Sequence, residues 1–101
     1  EYLKAARNLA MTVLVPKDAK TIQRIAFAYE TITSKLPDKE EQKTLYDLLQ
    51  SLYQTYLNES ELADQICEGL PVKAKDQKAK IAAWTILVNS LYNLDITKTR
   101  D

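Results

Sequence analysis

Histidine is absent from this 101-residue chain, and cysteine and glycine occur once each, at Cys67 and Gly69. Without histidine the chain cannot form a Ser-His-Asp or Cys-His catalytic arrangement, and it offers no imidazole to zinc or haem. One cysteine can form neither an intramolecular disulfide nor a zinc thiolate cluster. A single glycine cannot supply a glycine-rich phosphate loop. We therefore predict no catalytic residue, no metal site and no cofactor site within these residues.

Acidic and basic residues balance at 14 each, so the formal net charge is zero. Binding to nucleic acid or to an anionic membrane surface draws on a surplus of Lys and Arg, and we expect neither partner. No apolar run reaches the roughly 18 residues of a transmembrane helix, so no membrane insertion is predicted. The lysine-rich segment "KAKDQKAK" at 73–80 is interpreted as a solvated loop and helix start.

Proline positions and helical periodicity predict one domain over residues 1–101, built from helices at about 2–15, 19–35, 39–57, 59–68 and 77–94. The clearest start signal is "LPDKEEQ", where Asp38 and Glu41 have the spacing of a capping box. Apolar side chains at helical spacing are expected to face the core; among them are Ile22, Leu36, Leu48 and Leu62.

Other helix ends carry weaker signals. Asp18 is expected to cap the second helix, and Asn58, with Glu61 three residues later, the fourth. Gly69 suits the left-handed residue that often follows a helix. Asn58-Glu59-Ser60 also fits a glycosylation sequon, but the capping role explains Asn58 without it.

The stretch "AAWTILVNSLYNLD" at 82–95 carries apolar side chains all round the helical wheel. A helix of this kind is surrounded by other helices, so we predict a compact all-α bundle around a central C-terminal helix, with Trp84 buried. Thr85 and Asn89 form a candidate buried polar pair that must find hydrogen-bond partners, either preceding helical carbonyls or each other. Asn93 and Asp95 are expected to end the helix.

Three tyrosines of the third helix, Tyr46, Tyr53 and Tyr56, are a candidate interaction or carbohydrate-stacking surface. The simpler interpretation places Tyr53 and Tyr56 beside the core with their hydroxyls reaching water. The carboxylate pairs of the chain, Glu40 with Glu41 and Glu59 with Glu61, are interpreted as solvated charges at helix starts. Cys67 is interpreted as a small core residue and not as a nucleophile.

Several spaced segments resemble the C-terminal part of the planctomycete-cytochrome-associated proteins of unknown function. The most specific are Ala83-Trp84-Thr85 and Asn93-Leu94-Asp95, which match that family's closing "AWT" and "NLDE". Ile96 stands where the family has Glu, so a role for that acid does not carry over. The segments "YLKAARNLAMTVL", Ala26-Phe27-Ala28-Tyr29, Leu36-Pro37 and Gly69 with Pro71 are similar to the family's earlier segments.

The resemblance implies a C-terminal fragment of a large exported or periplasmic bacterial protein, an inference that the start at Glu1 favours. It further implies that any haem belongs to a cytochrome-c-type domain elsewhere in the parent, because Cys-x-x-Cys-His is absent here. The expected function is a non-catalytic structural and interaction domain that docks against the preceding domains of the same chain. Two alternatives stay open. One is a cleft-forming part of a periplasmic haem-linked enzyme that acts on polysaccharide-derived substrates, and the other is a cytosolic helical adaptor.

Overall fold

The computed structural model describes the backbone of residues 3–99 and the side chains of residues 3–94. Over that range the chain forms five helices and no strand, so the predicted all-α bundle is confirmed. The helices are α1 (Lys4–Leu14), α2 (Thr21–Thr33), α3 (Lys39–Asn58), α4 (Ser60–Ile66) and α5 (Lys75–Thr99).

Helix α5 lies at the centre and packs against all four other helices, most extensively against α3 and α1. Trp84 is 2% exposed, and Leu87 and Val88 are completely buried. The predicted central position of this helix is therefore confirmed. The surrounding core comes from one apolar stripe of each neighbouring helix, namely Ala6, Ala10 and Val13 of α1, Ile25, Ala28 and Tyr29 of α2, and Leu45 and Leu49 of α3.

The predicted capping box begins α3. Oδ1 of Asp38 accepts a hydrogen bond from the Glu41 amide at 2.7 Å, and Oε1 of Glu41 accepts one from the Asp38 amide at 2.9 Å. Two amides that the helix itself leaves unpaired are thereby satisfied. Proline and paired acids fixed this boundary locally, which is why the sequence located it correctly.

The other two predicted caps are wrong. Helix α2 begins at Thr21, so Asp18 lies before the N-cap position, which Lys20 occupies. The side chain of Gln23 accepts a hydrogen bond from the Lys20 amide at 2.8 Å. Asn58 is the last residue of α3, and Glu59 alone separates α3 from α4. A one-residue junction leaves Asn58 inside the preceding helix, so its side chain makes no cap for the next one.

Two residues with positive φ follow helix ends. Gly69 has φ +86°, as predicted from its place after α4. Ser34 follows α2 with φ 65°, and its amide donates to the Glu30 carbonyl at 2.9 Å. Because Ser34 ends α2, Leu36 lies beyond the helix and is 66% exposed, contrary to the predicted core stripe.

Helix α5 begins at Lys75 and continues through Thr99, so the predicted stop at Asn93 and Asp95 is wrong. Asparagine and aspartate within a helix cost only a few tenths of a kcal/mol each relative to better helix formers, and residues 96–99 include neither proline nor glycine to force a stop. The predicted inward positions of Ile22, Leu48 and Leu62 are also wrong, since all three are about 40% exposed. The helices they belong to bury narrower stripes than periodicity alone suggested.

Candidate interaction surfaces

The three tyrosines of α3 lie in unequal surroundings. Tyr46 is exposed, whereas Tyr53 is partly buried against the core. Tyr53 also lines a cleft of about 400 Å³ above Trp84, together with Lys80 of α5. Tyr56 is partly buried, and that burial, followed by the negative charge of Glu59, raises the pKa of its phenol. Of the three rings, only Tyr46 is exposed, and the partial burial of Tyr53 and Tyr56 agrees with the simpler interpretation of the sequence.

The candidate polar pair on α5 is split by burial. Thr85 is completely buried and its hydroxyl donates to the Ile81 carbonyl at 2.8 Å, one turn earlier in the helix. Asn89 is only partly buried. The Thr85 hydroxyl therefore has a hydrogen-bond partner in its own helix, and its burial in the core leaves no unpaired polar group. It does not bond to Asn89.

A groove of about 420 Å³ runs between the end of α1 and the outer face of α2. Val13 and Ala19 contribute to its lining, and the exposed side chains of Val15 and Phe27 stand at its edge, 72% and 50% exposed. The groove therefore presents apolar atoms to solvent at a site where the fold supplies no cover. Sequence analysis missed it, although one signal was present: Phe27 falls outside the core stripe of α2.

Arg24 fixes one wall of this groove. Its Nη2 donates to the carbonyl of Pro16, which ties the α1–α2 connection to α2. Its Nε is buried and has no hydrogen-bond partner among the described residues. The Arg24 side chain thus holds Pro16 in place beside Phe27 and adds positive charge to a mainly apolar groove.

A second cleft, of about 480 Å³, lies between α1 and α4 and is more polar, with Arg7, Gln65 and Thr85 contributing to its lining. Its strongest donor is already engaged, because Nη1 of Arg7 donates to the Ile66 carbonyl at 3.2 Å and to the Glu68 carbonyl at 2.8 Å. These carbonyls end α4, so Arg7 acts as a C-terminal cap supplied by another helix. At this cleft Arg7 therefore stabilises the fold by joining α1 to the end of α4.

Cys67 is buried, as predicted, and its Sγ lies 3.5 Å from the Lys78 carbonyl oxygen. Burial raises the pKa of the thiol, against the opposing influence of the Lys78 and Arg7 charges. The neutral thiol is a poor nucleophile, because the reactive species is the thiolate. Among the described residues, no cluster of three or more acidic, cysteine or histidine side chains could hold a metal ion.

Glu41 departs from the predicted solvated charge. It is partly buried, and its Oε2 accepts a hydrogen bond from the Tyr29 hydroxyl at 2.7 Å. This contact joins α2 to the start of α3. The pKa of Tyr29 is raised to about 12. The hydrogen bond to Glu41 is the largest cause, and burial and the charges of Glu41 and Asp38 follow. The buried phenol therefore stays protonated well above its ordinary pKa of 10.0.

Comparison with known proteins finds no relative. The chain matches no protein-family profile, no curated protein and no solved structure. No helix in the described part of the chain is both long enough and apolar enough to cross a membrane.

Proposed function

We propose that this chain is a helical interaction domain that receives an apolar side chain of another polypeptide in the groove between α1 and α2. The observation that carries the proposal is the exposure of Val15 and Phe27 beside a groove lined mainly by apolar atoms. Single exposed apolar residues are ordinary on a monomer, but a concave apolar surface rimmed by polar residues is characteristic of binding grooves. Phenylalanine in such a position is a typical interface anchor.

The proposal includes a non-catalytic role, because two polar side chains of the cleft between α1 and α4 already form hydrogen bonds within the fold. Arg7 binds the end of α4, and the Thr85 hydroxyl bonds to its own helix. The alternative of a cleft in a haem-linked enzyme would need convergent polar groups that are free to meet a substrate. The observations therefore favour the interaction domain over the enzymatic alternative.

Location and parentage rest on the sequence resemblance alone. From that resemblance we propose that the domain ends a large exported bacterial protein, whose preceding domains are one source of the docking side chain. Any carbohydrate ligand or haem would then belong to the parent. A cytosolic adaptor would use the same groove. The experiment below therefore tests binding in the groove and does not depend on where the protein is located in the cell.

Photocrosslinking in the full-length parent protein tests the groove. A photoreactive phenylalanine at position 27 should crosslink to one defined peptide, which mass spectrometry of the digested product would identify. The matched control places the same residue at Leu36, which is 66% exposed but does not line the groove. If position 27 gives no more peptide crosslinks than position 36, the groove is not a docking site and the proposal fails.

A further inference from the structure

Charge is unevenly distributed along this neutral chain. Residues 38–68 contain eight acidic and two basic residues, a net charge of −6. Residues 1–37 and 69–101 each contain six basic and three acidic residues, a net charge of +3 apiece. Because residues 38–68 form α3 and α4, the acidic charge is concentrated on two adjacent helices. A molecule with separated charges of opposite sign can attract copies of itself.

The acidic region carries an exposed apolar side chain. Leu62 of α4 is 41% exposed, and the exposed residues Glu59 and Glu61 precede it. The ion pairs found among the described side chains are Lys43 with Asp47 and Lys78 with Asp64, so neither glutamate is neutralised by one. We call these three residues, Glu59, Glu61 and Leu62, the acidic knob.

The groove between α1 and α2 has the complementary character. Its lining residues Pro16 and Ala19 are followed in the chain by Lys17 and Lys20, both exposed. Arg24 adds a third positive charge, and Asp18 removes one. The rim is thus net positive around an apolar floor, which suits an apolar side chain flanked by carboxylates.

We propose that the groove of one molecule receives the acidic knob of a second copy of this chain. Leu62 packs beside Phe27 and Val15, while the two knob glutamates face the lysines of the rim. The inference rests on the proposed function, since it names the occupant of the same groove. Knob and groove are different surfaces, so the contact is head-to-tail and leaves one of each free for further copies. A contact this small is weak and transient.

Sedimentation of the 101-residue chain at several protein concentrations provides the first test. We expect the average mass to rise with concentration in low salt and to fall back toward the monomer in high salt, because rim charges are screened. Leu62→Ala and Phe27→Ala should each weaken the association roughly tenfold to a hundredfold, as expected for losing the burial of one large apolar side chain. Leu36→Ala, at an exposed apolar position outside both surfaces, is the control and should change nothing.

Complementation provides a sharper test. Leu62→Ala keeps an intact groove, and Phe27→Ala keeps an intact knob. An equal mixture should therefore form a one-to-one heterodimer at concentrations where each variant alone, weakened roughly tenfold to a hundredfold, stays mainly monomeric. Circular dichroism would verify that both variants are folded. A wild-type chain that stays monomeric at all concentrations in low salt, or a mixture that forms no heterodimer, would overturn the inference. In that case crosslinks from position 27 to another part of the parent would still support the proposed function.

Discussion

The buried contact between Tyr29 and Glu41 predicts a specific dependence of stability on pH. Tyr29 is 4% exposed, and its hydroxyl donates to the Glu41 carboxylate at 2.7 Å. A hydrogen bond to a charged group contributes about 1.5–3 kcal/mol, so Tyr29→Phe should lower the free energy of unfolding by that amount at pH 7. The ring itself remains, so the surrounding core keeps its packing.

The pKa of Tyr29 fixes the pH range. Its value of about 12 in the folded state lies above the ordinary value of 10.0, so folding favours the protonated phenol. The contribution is therefore complete below pH 10 and is lost as the pH rises toward 12. Two pKa units correspond to at most roughly 3 kcal/mol, because solvent near the hydroxyl screens the contact, and about half of the contribution should be lost by pH 11. This loss and the cost of Tyr29→Phe describe the same contact and are not to be added.

Urea unfolding of the wild type and Tyr29→Phe at pH 7 and pH 11 measures both effects. Far-ultraviolet circular dichroism is the suitable signal, because tyrosinate quenches tryptophan fluorescence at high pH. The stability gap between the two proteins should narrow at pH 11 by up to about 1.4 kcal/mol. Tyr46→Phe removes an exposed hydroxyl and is the control. Equal stability at pH 7, or a gap that is the same at both pH values, would refute the reasoning.

Three further predictions concern thermal or urea unfolding at pH 7. Asp38→Ala should lower the free energy of unfolding by about 1 kcal/mol because the capping box is lost. Asn58→Ala, at a predicted cap that the structure does not show, should lower it by less than about 0.5 kcal/mol. Equal losses for the two variants would contradict the observed caps. Ser34→Gly should stabilise by up to about 1 kcal/mol, since glycine tolerates φ 65° better, and a loss of stability would argue against that conformation. Leu87→Ala should cost about 2–5 kcal/mol at a fully buried position, and a cost below 1 would mean that α5 is not central.

Local chemistry accounts for what the sequence located well. The capping box at Asp38 and the left-handed Gly69 depend on residues a few positions apart, so the sequence alone identifies them. The wrong boundaries have equally local causes. Asn58 looks like a cap in sequence, but α3 continues through it. Helix α5 likewise continues past Asn93 to Thr99, since no proline or glycine lies between them.

The groove between α1 and α2 is formed by residues that are distant in the sequence. Sequence patterns carry little information about which distant residues come into contact. Periodicity indicates which side of a helix is apolar, but it does not show whether a neighbour covers all of that side. Helix α2 packs against α1, α3 and α5 and still leaves Phe27 half exposed, and α4 leaves Leu62 exposed in the same way. The tyrosines of α3 also differ in exposure: Tyr46 is exposed, whereas Tyr53 is partly buried against the core, as the simpler interpretation of the sequence expected.

By itself, the sequence determined the all-α class, the central place of α5 and the burial of Trp84, because a helix that is apolar on every side is stable in water only when other helices surround it. Only the tertiary structure decided that Tyr29 reaches Glu41, that Arg7 caps α4, and that an uncovered apolar groove remains between α1 and α2. These features depend on the distances between the helices in the packed core. That separation is set by the packing of side chains distant in the chain, which no short stretch of sequence encodes.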